Sequence, residues 1–533
     1  MEKATEIGKT SAVGSLQLFL GRSFSTVILA VGTIIIGLFI SEGDYGLYAV
    51  ALVPATTFLL FQDWGVSTAL TRYCAKYRST NEAGQQRKII IAGLVFEIAT
   101  GAALTIVSIL LANFIAYTVF GKPESAFLIV VSSTTILMTA INTATGSIFV
   151  GFERMKLSSY SAVVTAITFS LVSPLLVYFG YGAMGAVIGY TLSSVASSAF
   201  SLVALYSSIY RKLPHSTTNK SSMYKTLKPL LKYGIPLSIG GILGGLSSPI
   251  YSFLMAHYVS NTLIGDFKIA GNFSSLLTLL IIPISTVLFP AFSKIDPQKE
   301  KNLLKNLFST SVKYTVLIVI PATLALIVLS KPLIGTLYGN KWPDAPFFLA
   351  VSSIYNFFVL IGWRSMNALL PAVGETKLLM YMNLLGFGVS IPLAFILIPP
   401  LGILGLIIGT QVSGFPIMFI GLYFSWKRYG VKTDFLSSAK IFFAAALAAL
   451  TVYAFFIFFT AAFWVQLVLG SIIFLVVYLI SAPIVGAINQ IDIKNLRTMF
   501  SSLGLISKLI EIPLKILEKL LDMRYPQSRK KTQ

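Results

Sequence analysis

Thiols and imidazoles are almost missing from this sequence. One cysteine, Cys74, leaves no intrachain disulfide and no thiolate metal site; two histidines, His215 and His257, stand far apart. A zinc centre or a Ser-His-Asp hydrolase needs more than this inventory holds. Charge is scarce too. Asp, Glu, Lys and Arg make up 11% of the chain, against about a quarter of a soluble protein. No polar stretch is long enough to build a soluble domain, so a nucleic-acid binder with a cationic soluble face is excluded. ATP hydrolysis is excluded as well. Ile7-Gly8-Lys9-Thr10 ends like a P-loop, but the place of that motif's first glycine is taken by Lys3.

What the chain has instead is apolar length. Of 533 residues, 56% are hydrophobic, and mean hydropathy is +0.82. At about 20 apolar residues per crossing, fourteen spans are expected. They lie near 15–40, 46–71, 89–114, 125–150, 157–180, 183–209, 233–258, 264–290, 312–335, 346–370, 378–399, 402–425, 439–460 and 462–487. The first run exceeds a secretory h-region of about 7–15 residues and reads as retained. Backbone groups in lipid need internal partners, so each span is a helix. The expected fold class is an all-α, polytopic membrane protein.

Placement of the 40 Lys and Arg residues tests the count. With the N-terminus inside, thirty-four fall in inside segments. Three, Lys122, Lys331 and Lys341, fall outside; Arg22, Lys268 and Arg364 lie within or at the edge of spans. That alternation predicts both termini in the cytoplasm. Most of the formal +21 charge is therefore topology.

The chain also repeats. Gly182, Gly185 and Gly189 match Gly402, Gly405 and Gly409 at an offset of 220. Gly151-Phe152-Glu153 and Gly374-Glu375 recur at nearly the same offset. Glycines four apart also serve close helix packing, but packing alone does not explain a shared offset. Two parallel six-helix lobes follow: 1–209 with spans 1–6, and 233–425 with spans 7–12. A basic cytoplasmic linker covers 210–232, and spans 13 and 14 form an appended pair over 439–487. Beyond 488 a stripe of Ile493, Leu496, Phe500 and Leu503 predicts amphipathic cytoplasmic helices and a basic tail to 533. Such helices lie on the membrane interface or dock on the protein's own cytoplasmic face.

Charges inside the bilayer are costly, about 2.5–3.5 kcal/mol each on insertion scales. Arg22, Asp63 and Glu97 fall at similar depth, roughly 12 Å from the inner interface. Arg364 lies in span 10, and Lys268 sits one turn into span 8 with Asp266 beside it. One reading is an ion pair of Arg22 with Asp63 or Glu97 that fastens spans 1–3. The other is a water-filled cavity between lobes, where Arg22 and Arg364 meet an anion, since the guanidinium fork suits phosphate. Asp63 and Glu97 then orient the arginines or carry a coupling proton. Lys268 is an interfacial lysine or an outer phosphate contact. His257 is structural or a proton sensor. No metal site and no cofactor are expected.

The stretches DYGLYAVA, FQDWGVSTALTRYCAKY, GFERMKLSSYSAVVT and, in the second half, PAVGETKLLMYMNLLGFGVSIPLAFILIPPLGILGLIIG resemble the polysaccharide-biosynthesis branch of the MOP flippase superfamily. The resemblance covers about residues 10–425. It implies a MATE-like arrangement of two bundles around a central cavity that opens to each side in turn. It implies a flippase, not an enzyme. The implied substrate is an oligosaccharide on a polyprenyl phosphate or diphosphate, moved from the cytoplasmic to the outer leaflet of the cell membrane. The glycan would enter a cell-surface polysaccharide or glycoprotein. Expected partners are membrane lipids and the glycosyltransferases or polymerase of the same pathway. In related flippases a cationic cavity receives the phosphate, for which Arg22, Lys268 and Arg364 are the candidates. A MATE-type drug/cation antiporter is the alternative, kept open by Asp63 and Glu97.

Overall fold

The computed structural model describes residues 2–214, 223–293 and 295–500, and beyond them 511, 515, 517–519 and 521. Among the described residues there is helix and turn but no strand. Twenty α-helices run α1 Glu2–Phe39, α2 Glu42–Ala51, α3 Val53–Leu59, α4 Val66–Ser79, α5 Ala83–Phe114, α6 Ala126–Gly151, α7 Met155–Leu176 and α8 Gly182–Ser208. They continue α9 Met223–Gly245, α10 Ser247–Tyr258, α11 Asn261–Ser293, α12 Lys301–Val328, α13 Ser330–Tyr338, α14 Ala345–Ser353 and α15 Trp363–Ala372. The last are α16 Thr376–Leu401, α17 Ile403–Tyr429, α18 Phe435–Phe458, α19 Phe463–Val485 and α20 Gln490–Phe500. Nine helices, or ten with a bent pair, are long and apolar enough to cross a membrane by length and composition among the described residues. Large apolar side chains such as Leu110, Val203 and Phe458 stand exposed on them, a surface suited to lipid rather than water. This is an all-α, multi-pass membrane protein.

All fourteen expected spans coincide with helical segments, and four differ in being interrupted, span 9 between α12 and α13 at Leu329. Span 2 is α2, α3 and α4 in sequence; span 7 is α9 and α10; span 10 bends by 58° between 345–361 and 363–372. The physical reason is local. Gly362 takes φ +91°, and Thr433 Oγ1 donates to the Ile361 carbonyl at 2.9 Å, serving an acceptor the break leaves open. Helix α9 begins at Met223, ten residues ahead of the expected span, while residues 215–222 lie outside the described residues.

The chain divides into two units. The first is Met1–Lys268 with Phe387–Gly409. Here α1 packs along α7 through small residues. A Cβ at Gly21 would lie 2.4 Å from Ser159 Cβ, and one at Gly32 would lie 2.2 Å from Ser170 Oγ. Such approach is the usual route to close helix packing in lipid. The repeat has a structural counterpart within this unit. Gly182 (φ +47°) and Gly402 (φ +56°) both take positive φ at the junction between paired helices. Gly189 then faces Ser173, and Gly409 faces Leu393; both pairs are related by the offset of 220. The repeat thus encodes one helical hairpin twice.

The second unit is Ile269–Gly386 with Thr410–Gln533. Its core is one apolar cluster spanning α12, α15, α18 and α19, with Phe308, Ile320, Met366, Leu369, Ala445 and Ala482 almost fully buried. Helix α20 docks on that core rather than lying free. Ile493 is buried, and Asp492 Oδ2 accepts from Lys313 Nζ at 2.6 Å and from the Asn489 amide at 2.9 Å. Asn495 donates to the Tyr314 hydroxyl at 2.7 Å, and Arg497 pairs with Glu511 and Glu518. The interfacial-helix expectation for this segment gives way to the docked one; Leu503 lies outside the described residues. Removing one partner of a buried pair costs about 3 kcal/mol. Asp492→Ala should therefore speed amide exchange across α20 by about a hundredfold; unchanged exchange would refute the docking role.

Candidate functional site: a broken helix and its carboxylates

The second span starts as a capped helix. Ser41 Oγ accepts the Asp44 amide at 3.1 Å and donates to Asp44 Oδ2 at 2.7 Å, a serine with an acid three residues on. Pro54 then sits at the start of α3, where its missing N–H is harmless. The helix fails at 60–65. Trp64 (φ +48°) and Gly65 (φ +72°) are left-handed, and only Gly takes that form without strain. Gly65 also lies against the Gly234 backbone; a Cβ there would be 2.3 Å from Gly234 O.

This break determines where the polar groups go. Asp63 turns back to cap α4, accepting from the Ser67 amide and hydroxyl, both at 2.7 Å. Gln62, 2% exposed, donates its amide to Glu97 Oε2 on α5. Glu97 is fully buried, its Oε1 has no hydrogen-bond partner among the described residues, and Asp63 lies near enough to act on it electrostatically. The result is a buried acid, an amide and a second acid at a helix discontinuity.

The sequence-derived cations are not in this cluster. Arg22 is exposed on α1 and, among the described residues, makes no ion pair; the fastening pair with Asp63 or Glu97 is therefore not formed. Arg364 is half-buried, two residues past the bend at Gly362, and Lys268 is exposed on α11 although protein crowds around it. Neither makes an ion pair among the described residues. Asp266, by contrast, is buried, so two residues along α11 the helix presents opposite faces.

Sequence reasoning missed Gln62, whose signal was a second polar residue beside Asp63 inside an apolar run. It also missed Asn142 on α6. Asn142 Nδ2 donates to Ser197 and Ser198 at 2.8 and 3.0 Å, and its Oδ1 accepts from Ser201 at 3.1 Å. These serines on α8 are almost fully buried, where a polar group needs a partner.

A further set of contacts ties the α5–α6 connection to the α10–α11 corner, all within the first unit. His257 Nδ1 lies 2.6 Å from Val119 O, Lys122 Nζ donates to Val259 O at 2.8 Å, and Asn261 Nδ2 reaches Glu124 Oε1 at 3.3 Å. The Phe120 and Phe253 rings sit 5.2 Å apart. Burial lowers the Lys122 pKa to about 8, with Glu124 opposing the shift. His257 thus has a structural partner, as the first of its two readings required.

Residues 35–346 match the family described as polysaccharide biosynthesis protein. Among characterised relatives, the lipopolysaccharide biosynthesis protein WzxC of Escherichia coli is 25% identical over 264 residues, 49% of each chain. The Lipid II flippase MurJ of Bacillus subtilis is 21% identical over 513 residues, 89% of this chain and 93% of the relative. The probable low-salt glycan biosynthesis flippase Agl15 of Haloferax volcanii is 25% identical over 212 residues, 37% of this chain and 42% of the relative. The chain thus spans less than half the length of two of these relatives and nearly all of the third. Two solved structures share the fold. Lipid II flippase MurJ in an inward closed conformation superposes with TM-score 0.70 at 18% identity, covering 88% of this chain and 98% of that one. An inward-facing MATE family multidrug transporter of the MOP superfamily superposes with TM-score 0.60 at 15% identity, covering 77% and 98%. With the family's match covering more than half of this chain and the MATE-like helical fold in place, the chain belongs to the polysaccharide biosynthesis protein family.

Proposed function

We propose that the protein flips a polyprenyl-(di)phosphate-linked oligosaccharide from the cytoplasmic to the outer leaflet of the cell membrane by alternating access, with both termini cytoplasmic. Lobes 1–209 and 233–425 are the moving parts. Flipping requires no bond to be made or broken, so the chain acts as a transporter rather than an enzyme. The observation that carries the reading is that Arg22, Lys268 and Arg364, each within or at the edge of an expected span, have no carboxylate partner among the described residues. Unpaired cations are expensive there, and a phosphate supplies the missing charge. The family match and the likeness to Lipid II flippase MurJ support this reading.

Liposomes loaded with defined lipid-linked glycans test this directly. Losing one charge-assisted hydrogen bond, worth about 1.5–3 kcal/mol, should slow transport by about 10–150-fold in Arg22→Ala and in Arg364→Ala. Wild-type rates in both variants would sink the cationic site. A second reading, a drug/cation antiporter, rests on the buried Glu97 and its neighbour Asp63. A drug-efflux assay decides between them.

A further inference from the structure

The polar end of α4 faces the polar end of α9 within the first unit, and every charge on both helices is positive. Helix α4 carries Arg72, Lys76 and Arg78, helix α9 carries Lys225, Lys228 and Lys232, and neither has a carboxylate. Arg78 is accounted for by Glu153 at 2.9 Å. Between the two helices lies an open cavity of about 430 Å³ lined by Tyr73, Lys228, Pro229, Lys232 and Tyr233. That volume falls within the usual range of about 300–1,000 Å³ for small-ligand sites.

The cavity is held rigidly. Leu230, between the two lysines in sequence, is fully buried in the cluster with Leu70 and Cys74, so α9 is anchored to α4. The Arg72 guanidinium stacks 4.4 Å from the Tyr233 ring centre and 5.9 Å from that of Tyr73. Tyr73 in turn stacks on Tyr77. The tyrosines are thus fixed as walls with a cation across them. Lys228 and Lys232 are four residues apart on one helix face and both exposed. Like charges at that spacing repel, and no acid of either helix offsets them. Tyrosine walls and lysines on long stems are what chains place at the membrane–water boundary.

We infer that this cleft binds the phosphate of a membrane lipid. Lys228 and Lys232 meet the phosphate oxygens, and Tyr73 and Tyr233 flank the glycerol or isoprenoid stem. Basic recesses between membrane helices recognise anionic headgroups in this way. None of Arg22, Lys268 and Arg364 lines the cleft, and the inference stands whether or not the chain carries an oligosaccharide.

The test uses the full chain in phosphatidylcholine nanodiscs, doped in one arm with phosphatidylglycerol and in the other with a polyprenyl monophosphate. Retained lipid is read by native mass spectrometry. Lys228→Gln with Lys232→Gln should weaken retention about tenfold or more. Lys228→Arg with Lys232→Arg should restore it. Lys299→Gln with Lys301→Gln removes the same charge at exposed positions elsewhere and should leave retention as in the parent. Loss in the phosphatidylglycerol arm assigns the cleft to a bulk anionic lipid, and loss in the other assigns it to the carrier. Retention unaffected in both arms, or reduced equally by the Lys299/Lys301 pair, overturns the inference. Retention is measured without transport, so failure here is distinguishable from failure of the flippase reading.

Discussion

Bridging residue 119 to residue 257 should stop transport, and reducing the bridge should restore it. Val119 and His257 come from the first and second sequence copies, and the His257 ring is hydrogen-bonded to Val119 O at 2.6 Å. Lys122–Val259, Asn261–Glu124 and the Phe120–Phe253 ring contact join the same two segments. If the copies must part here for the site to open, a covalent link at 119 and 257 prevents it. Both side chains are at least partly accessible, and the one native thiol, Cys74, is fully buried, so a Val119→Cys, His257→Cys chain reacts with a short thiol cross-linker at the intended pair. The expected outcome is transport reduced to background after cross-linking and regained with reductant. Undiminished transport by the cross-linked protein would show that this contact stays closed throughout the cycle.

The same clasp should respond to alkaline pH. Lys122 titrates at about 8 when clasped, against 10.5 for a free lysine. The clasped form therefore binds fewer protons than an open form in which Lys122 is solvated. Its relative stability rises from pH 8 to 10.5, is complete above 10.5, and is lost as pH falls through 8. Labelling of a cysteine at 119, taken relative to a free thiol at each pH, should slow across that window. In Lys122→Met the slowing should vanish; a persistent response would assign it to another group.

Glu97→Gln should leave a folded protein that transports poorly. The substitution is nearly isosteric, and the carbonyl of the new side-chain amide can still accept from Gln62, so the α3–α4 break keeps its contact. What disappears is the acidic oxygen that has no donor among the described residues, Oε1, and with it a place for a proton or cation to bind. Coupling free energies between sites are commonly 1–3 kcal/mol, so a drop of about 5–150-fold is expected. It should be accompanied by loss of the rate's dependence on an imposed ion gradient. Asp63→Asn should be milder in transport but should loosen α4, because Asp63 holds both the amide and hydroxyl of Ser67. A Glu97→Gln protein with a full rate and intact gradient response would remove Glu97 from the mechanism and weaken the antiporter alternative equally.

Much of this molecule was legible before any coordinates. The helical membrane class follows from apolar length, because lipid leaves the backbone no other way to satisfy its hydrogen bonds. The alternation of Lys and Arg predicts fourteen segments, and helices cover each of them. The repeat of Gly182, Gly185 and Gly189 at Gly402, Gly405 and Gly409 was visible as letters, and the positive φ of Gly182 and Gly402 and the close approaches at Gly185, Gly189 and Gly405 show why glycine stands at those positions. Asp63 and Glu97 could be picked out as costly charges in apolar helices.

Partnership was decided by tertiary structure alone. Opposite charges at similar depth suggested Arg22 with Asp63 or Glu97, but depth along a helix says nothing of the face on which a side chain points. The break at 60–65 rotates that face: Trp64 and Gly65 adopt left-handed backbone, Asp63 folds back onto Ser67, and Gln62 reaches Glu97 instead. Hydropathy averages over a window and passes smoothly across six such residues. The docking of α20 on Lys313 was hidden for a similar reason, since an amphipathic stripe specifies that one face is covered and not by what. Composition and periodicity determined which segments enter the membrane. Backbone strain at a few positions, and the need of each buried polar group for a partner, decided what those segments hold inside it.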